Sequence, residues 1–390
     1  MTWQDAARPL AFACTLIMSS LDSAGARTAL GPLNPADLPG WGEDDHAAAL
    51  AAFRLSCGEI LRDGHAFERP VRFGGSREEW IEVCTLSEGV TDARRFFEDN
   101  FTALPVADGG RPEGLFTGYY EPEVEGSRRP SEDYRVPILR RPDDLVGFDA
   151  AQEAAAGLRY GRLVDGEPVP YFTRKEIEQG ALEGRRLAIV WLKDWADAFF
   201  IHIQGSGRVR LEDGGVVRLA YSLKSGLPYT AIGGILVDRG IFTKDEMSMQ
   251  AIRGWMAGNE QQARELMWEN QSFVFFREIE ELDPSLGPPG AQGVPLTPQR
   301  SLAVDRSLWT YGTPVWIDTV MPETGGTGLK PFRQLMIAQD TGSAIKGAVR
   351  GDVFWGSGDD AARVAGHMKN PGRMVVLLPN RLARRLAGQP

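Results

Sequence analysis

Residues 337–358 read IAQDTGSAIKGAVRGDVFWGSG and carry two carboxylates, Asp340 and Asp352, twelve positions apart. Between them lie a glycine-rich loop and two cations, Lys346 and Arg350. Asp340-Thr341-Gly342 is the triplet with which an aspartic protease presents a catalytic carboxyl, always as one of two loops whose like charges share a proton. The second triplet is missing, because Asp22-Ser23-Ala24 and Asp318-Thr319-Val320 both lack the glycine. A lone aspartate in such a stretch ordinarily braces a turn or caps a helix, and Asp359 fits the N-cap of a helix over 359–367. Asp352 differs, since it follows a flexible loop and heads the apolar run Val353-Phe354-Trp355. Burial there would raise its pKa and keep it protonated for general acid catalysis.

Other chemistries find little support. GGTGLKP at 325–331 lacks both the spacing of a phosphate loop and a hydroxyl residue after the lysine. QGSGR at 204–208 does not have the glycine-x-serine-x-glycine pattern that would make Ser206 a nucleophile. His46, His65, His202 and His367 are scattered, and no Cys-x-x-Cys occurs, so neither a metal nor a cofactor is expected.

These residues must be positioned by a chain of 390 residues, long enough for two domains. Hydrophobic residues make up 43% and charged residues 25%, an ordinary globular balance. A formal net charge of −10 argues against a nucleic-acid or anionic-membrane partner. Arg8, the apolar run 10–18 and the small residues Ala24-Gly25-Ala26 form the pattern of a secretory signal cleaved after Ala26, with a buried N-terminal helix as the alternative. Cys14 interrupts that apolar run, whereas a lipidated cysteine should follow it. Once residues 1–26 are removed, Cys57 and Cys84 remain, either as a disulfide in an oxidising compartment or as two buried thiols.

Apolar spacing predicts helices over 46–62, 77–101 and 243–268, the last with Thr243 as its N-cap. From Leu115 the texture becomes short aromatic and β-branched runs, including 188–211 and 271–280, that read as strands. Residues 282–300 are too rich in Pro and Gly for regular structure. Strands are expected within 300–305, 313–320, 333–340, 351–356 and 372–379. Strands with no crossover helices between them favour a closed barrel in the C-terminal third, with a second β-rich unit in the middle.

Several spaced motifs together resemble the membrane-bound lytic murein transglycosylase A family, whose C-terminal part is the three-aspartate or 3D domain. They are LAVD ending at Asp305, DTGSAIKG starting at Asp340 and DVFWGSG starting at Asp352, preceded by FTGYYEP (116–122), FIHIQGSGRV (200–209), SGLPYTAIGGILVDRG (225–240) and NQSFVFF (270–276). Ser343 stands where the family often has glycine, and Ser225 where it often has asparagine. The resemblance implies a mainly β protein with helices: a double-psi β-barrel built from 27–123 and 271–390, a smaller β-rich domain inserted at 124–270, and a substrate groove between them. It implies cleavage of the β-1,4 bond between N-acetylmuramic acid and N-acetylglucosamine in peptidoglycan, leaving 1,6-anhydro ends. Asp352 would be the single acid/base, with Asp340 and Asp305 supporting its loop; Asp340 as the catalyst is the alternative. Thr117, Tyr119, Gln204, Gly205, Ser206 and Gly207 would line the groove. A muramidase-type hydrolase and a noncatalytic murein-binding protein stay open. Glycan strands are the expected partner, together with cell-wall synthesis or division proteins, for a monomer exported to the periplasm or associated with the outer membrane.

Overall fold

The computed structural model describes residues 27–28, 31–62, 64–280, 283, 285–323 and 328–387. The expected signal at 1–26, with Cys14, lies outside the described residues. Helix α1 (His46–Arg62) buries Ala49, Leu50, Phe53, Cys57 and Ile60, one stripe at helical spacing. The predicted helix 77–101 is instead two, α2 (Arg77–Ser87) and α3 (Ala93–Asn100). Gly89 adopts φ +73° between them, and the Asp92 side chain caps the Arg95 amide to start α3. Arg77 reaches back to the carbonyls of Ile60 and Leu61 and so satisfies the C-terminus of α1. Phe53, Phe96, Phe97 and Phe101 then pack edge-to-face or tilted, with centroids 5.2–6.0 Å apart.

Six strands form the barrel: β1 (Glu113–Glu121), β2 (Ser301–Ala303), β3 (Pro314–Pro322), β4 (Leu329–Asp340), β5 (Arg350–Ser357) and β6 (Lys369–Pro379). Their order is β1-β5-β2-β4-β3-β6, and β6 pairs with β1 again to close the sheet. β1 runs parallel to β5 and β2 parallel to β4, while the other pairs are antiparallel. Strand Phe101–Ala107 extends the sheet beyond the C-terminal half of β6. Helices α1–α3 share one apolar core with the barrel, centred on Phe53, Trp80, Phe97, Trp316 and Leu377.

The second sheet contains Glu123–Ser127, Val136–Leu139, Ala188–Leu192, Ser206–Leu211, Val216–Lys224 and Val274–Ile279. Its first and last members, Val136–Leu139 and Val274–Ile279, are joined by a bridge between Arg140 and Phe276. Val274–Ile279 lies past residue 270 and still pairs within this inserted sheet, against Val216–Lys224. The barrel and the inserted β domain expected from the resemblance are both present.

Other expectations from the sequence also need correction. Trp195–Gln204, read as strand, is helix α4, because Asp194 caps the Asp197 amide and Gly205 closes the far end at φ +80°. Thr243 exchanges hydrogen bonds with Glu246 in a turn, and the helix begins only at Met249, capped by the side chain of Ser248. Asn259 then divides the remainder into Met249–Gly258 and Glu260–Trp268. Asp359 lies in the first turn of helix α5 (Gly358–His367), whose N-cap position is Ser357. Residues 285–300 form no helix or strand, as the sequence predicts, apart from an isolated bridge between Pro289 and Pro295.

Candidate active site

Barrel register explains why two aspartates twelve positions apart meet. On β2, Ala303 is opposite Asp340 of β4 on one side and Asp352 of β5 on the other. Asp352 is in turn opposite Thr117 of β1. Paired residues on neighbouring strands share a face, so Asp340, Ala303, Asp352 and Thr117 make a row across four strands.

Asp352 is held at one oxygen only. Thr117 Oγ1 donates to Asp352 Oδ1 at 2.6 Å and accepts from Arg350 Nη2 at 2.8 Å, so the hydroxyl relays the guanidinium to the carboxyl. Among the described residues no donor reaches Asp352 Oδ2, which keeps contact with solvent. Burial raises the Asp352 pKa above the usual aspartate value, outweighing the opposing charge of Arg350 and the Thr117 bond.

Asp340 is differently placed. Its Oδ2 accepts from the Tyr119 hydroxyl at 2.8 Å, and its Oδ1 accepts from the amides of Ala291 at 2.9 Å and Thr341 at 2.8 Å. Burial pushes this carboxyl upward too, helped by the charge of Asp352 and opposed by the three donors. Tyr119 packs on Phe354, with centroids 5.3 Å apart, and burial followed by the Asp340 charge keeps its phenol well above the ordinary tyrosine range. The irregular segment 285–300 supplies the Ala291 amide. It approaches so closely that a Cβ at Gly290 would lie 2.6 Å from the Gln339 carbonyl and one at Gly287 would lie 2.4 Å from the Phe354 ring.

Asp305 touches neither carboxyl. It accepts from the Ser307 hydroxyl and amide and from the Gly347 amide, and Lys346 stands 3.8 Å away. Burial alone would raise its pKa, but these donors and the lysine bring it below the usual value. It therefore braces the loop between Asp340 and Asp352 as an anion.

Gln204, Gly205, Ser206 and Gly207 lie where the insert meets β1. Gln204 Oε1 accepts from the Tyr120 amide at 3.1 Å, Gly205 caps α4, Ser206 is buried, and Gly207 packs against Ile201. None of the four bonds to an aspartate of the row. Ser225 is buried and accepts from the Phe273 amide at 3.1 Å, so its departure from the family pattern concerns insert packing. Sequence reading missed Tyr229 of the insert, whose partly exposed phenol is raised by burial and then by the charge of Asp352 across the seam. Its signal was the Gly-Leu-Pro-Tyr turn at 226–229. Cys57 and Cys84 are disulfide-bonded, joining α1 to α2. Among the described residues no cluster of three or more His, Cys, Asp or Glu could hold a metal ion, and no helix is long and apolar enough to cross a membrane.

A closed barrel interrupted by a second β domain, with two half-buried, raised carboxyls side by side on its strands, defines a two-lobed β enzyme of acid–base type. Family models for the MltA specific insert domain and the 3D domain match residues 115–277 and 300–378. The chain belongs to the membrane-bound lytic murein transglycosylase A family. It is 35% identical to that enzyme of Vibrio cholerae over 277 residues, covering 69% of this chain and 67% of the relative. The crystal structure of a membrane-bound lytic murein transglycosylase from Agrobacterium tumefaciens superposes with a TM-score of 0.81 at 36% identity, covering 91% of this chain and 98% of the other. Escherichia coli MltA with bound chitohexaose matches with a TM-score of 0.65 at 27% identity, covering 87% and 90%.

Proposed function

We propose that this protein is a lytic transglycosylase that cleaves the β-1,4 bond between N-acetylmuramic acid and N-acetylglucosamine in peptidoglycan, with Asp352 as its one acid/base. The observation that carries the assignment is the unequal occupation of the two carboxyls. Both oxygens of Asp340 are filled by donors, whereas Asp352 is half-buried, bonded through Oδ1 alone among the described residues and open at Oδ2. A proton on Oδ2 is then available to a bound glycan.

In the first half of the reaction Asp352 gives that proton to the glycosidic oxygen as the bond from C1 of the muramoyl ring breaks. The resulting carboxylate takes a proton from the C6 hydroxyl of the same ring, whose oxygen bonds to C1. The 1,6-anhydro ring closes, no water is consumed and Asp352 ends protonated. An ordinary glycosidase needs a second carboxylate as nucleophile or base. Tethering of the C6 hydroxyl to the reacting ring replaces it. Asp340 holds Tyr119 and the 285–300 segment in place, and Asp305 holds the intervening loop. Thr117, Tyr119 and the Gln204–Gly207 corner form the walls of the groove, and residues 1–26 direct export to the periplasm; the relatives are named as membrane-bound.

Mass spectrometry of digested sacculi tests this reading. Asp352→Asn should lower release of anhydro-muropeptides by about 10²–10⁴-fold, the usual worth of a positioned acid, with its circular dichroism unchanged. Asp340→Asn should retain measurable turnover. Products heavier by one water would identify a hydrolase, and loss confined to Asp340→Asn would transfer the catalytic role to that residue.

A further inference from the structure

Beyond Asp340 the same seam becomes cationic. Lys224, the last residue of Val216–Lys224, donates to Ser343 Oγ at 2.8 Å and so links the insert to the loop that follows Asp340. The charges of Arg306 and Lys346 on the barrel and of Arg159 on the insert reach it. Burial and then the charges of these three residues hold the Lys224 ammonium below the ordinary lysine range. Lys346 stands 3.8 Å from Asp305 and Arg159 binds Glu153 at 3.1 Å, but among the described residues no ion pair engages Lys224 or Arg306.

Position along the seam fixes what the cluster can meet. Ser343 is three residues beyond Asp340, within about 10 Å even for extended chain. On the facing lip, Tyr229 senses the charge of Asp352 and is five residues beyond Lys224, within about 17 Å. The cations therefore lie within reach of a glycan bound at the carboxyl row. Lys346 and Arg159 already have carboxylate partners, but Lys224 and Arg306 repel each other with no ion-pair partner among the described residues, so an anion between the lips would be drawn to them. Sugar hydroxyl and acetamido groups are neutral and need no such field. On a glycan strand the carboxylates are carried by the stem peptide that branches from the muramoyl lactyl group.

We propose that Lys224, Arg306, Lys346 and Arg159 form a carboxylate-binding subsite for the stem peptide, giving the enzyme a preference for peptide-bearing over peptide-free glycan. The proposal rests on the transglycosylase reading above for its substrate. Ser343 contributes the hydroxyl that fixes Lys224 at this place, a contact that a glycine could not make.

The test measures binding separately from turnover. Glycan strands bearing tetrapeptides, and the same strands stripped by an amidase so that only the lactyl carboxylate remains, are titrated into the Asp352→Asn protein. They are also digested by the wild type. The peptide-bearing strand should bind about tenfold more tightly, with a ratio that shrinks as salt rises. Lys224→Met and Arg306→Gln should each reduce that ratio about threefold or more, and in the active enzyme the difference should appear in KM. Equal affinity for the two strands, or a ratio that both substitutions leave intact, overturns the subsite. Failure of the transglycosylase reading is separately visible, as absence of anhydro product from both strands, while the affinity ratio still decides the peptide proposal.

Discussion

Asp352 and Asp340 are both half-buried and both raised, yet Thr117 and Arg350 engage only Asp352. Thr117 donates to the charged form, so it holds the Asp352 pKa lower than burial alone would. Thr117→Val removes that donor and leaves the carboxyl higher. Because the reaction starts from protonated Asp352, kcat falls as pH rises through its pKa, and the variant's falling limb should lie at higher pH than the wild type's. A kcat–pH profile on purified glycan measures this, and Thr117→Ser should restore the original limb. A limb displaced to lower pH would mean that the group titrating there is not Asp352. At this scale the three aspartates were legible, because the motifs preserve their spacing around a loop. The Ala291 amide, the Thr117–Arg350 relay and Tyr229 were not, since Ala291 is 49 positions from Asp340, and Thr117 and Tyr229 are more than a hundred from Asp352, so that only the tertiary fold brings them together.

Secondary structure was legible where a periodic stripe agreed with its end signals, as in α1, and less so where they competed. Trp195–Gln204 has the aromatic and β-branched composition of a strand, but Asp194 and Gly205 supply both caps, and one face packs on the insert sheet through Ala198 and Ile201. The other face, through Phe199 and Phe200, contributes to a separate cluster with Leu236 and Leu266. A helix buried on two sides shows little amphipathic pattern, which is why the caps were the better guide. In the N-terminal helices the disulfide ties α1 to α2 across a sequence separation of 27 residues. Closing a loop of that length restricts the unfolded chain by about 3.5 kcal/mol. Replacing both Cys57 and Cys84 by Ala should lower the unfolding free energy by about that amount, measured by urea titration under non-reducing conditions. Because Ser56 and Glu59 of α1 also bond Gln292, beside the amide that serves Asp340, the same variant should lose activity at a lower urea concentration than it loses barrel structure.

At the scale of the whole molecule, the motifs implied two lobes, but neither composition nor periodicity revealed how the lobes are joined. Strand β1 leaves the barrel at Glu121, which is fully buried. Its carboxylate receives Arg218 of the insert at 2.9 and 2.8 Å, Arg208 at 3.0 Å and the Ser357 hydroxyl of β5 at 2.9 Å. Both arginines also reach the Leu286 carbonyl in the segment that returns to the barrel. Barrel and insert sheet have separate apolar cores, and this network is a buried polar link between them. Breaking a buried pair from one side costs about 3–5 kcal/mol, because the remaining charge loses the carboxylate that offsets its desolvation. Glu121→Gln keeps the shape and removes the charge, leaving Arg208 and Arg218 opposite a neutral amide. The expected loss of stability is therefore in that range, with a rise in KM as the two walls of the groove lose their fixed spacing. Arg210→Gln is the control: its pair with Glu123, at 3.7 Å, is solvent-exposed and worth less than about 1 kcal/mol. Differential scanning calorimetry distinguishes the two substitutions, and equal destabilisation by both would show that the lobes are held together by something other than the Glu121 network.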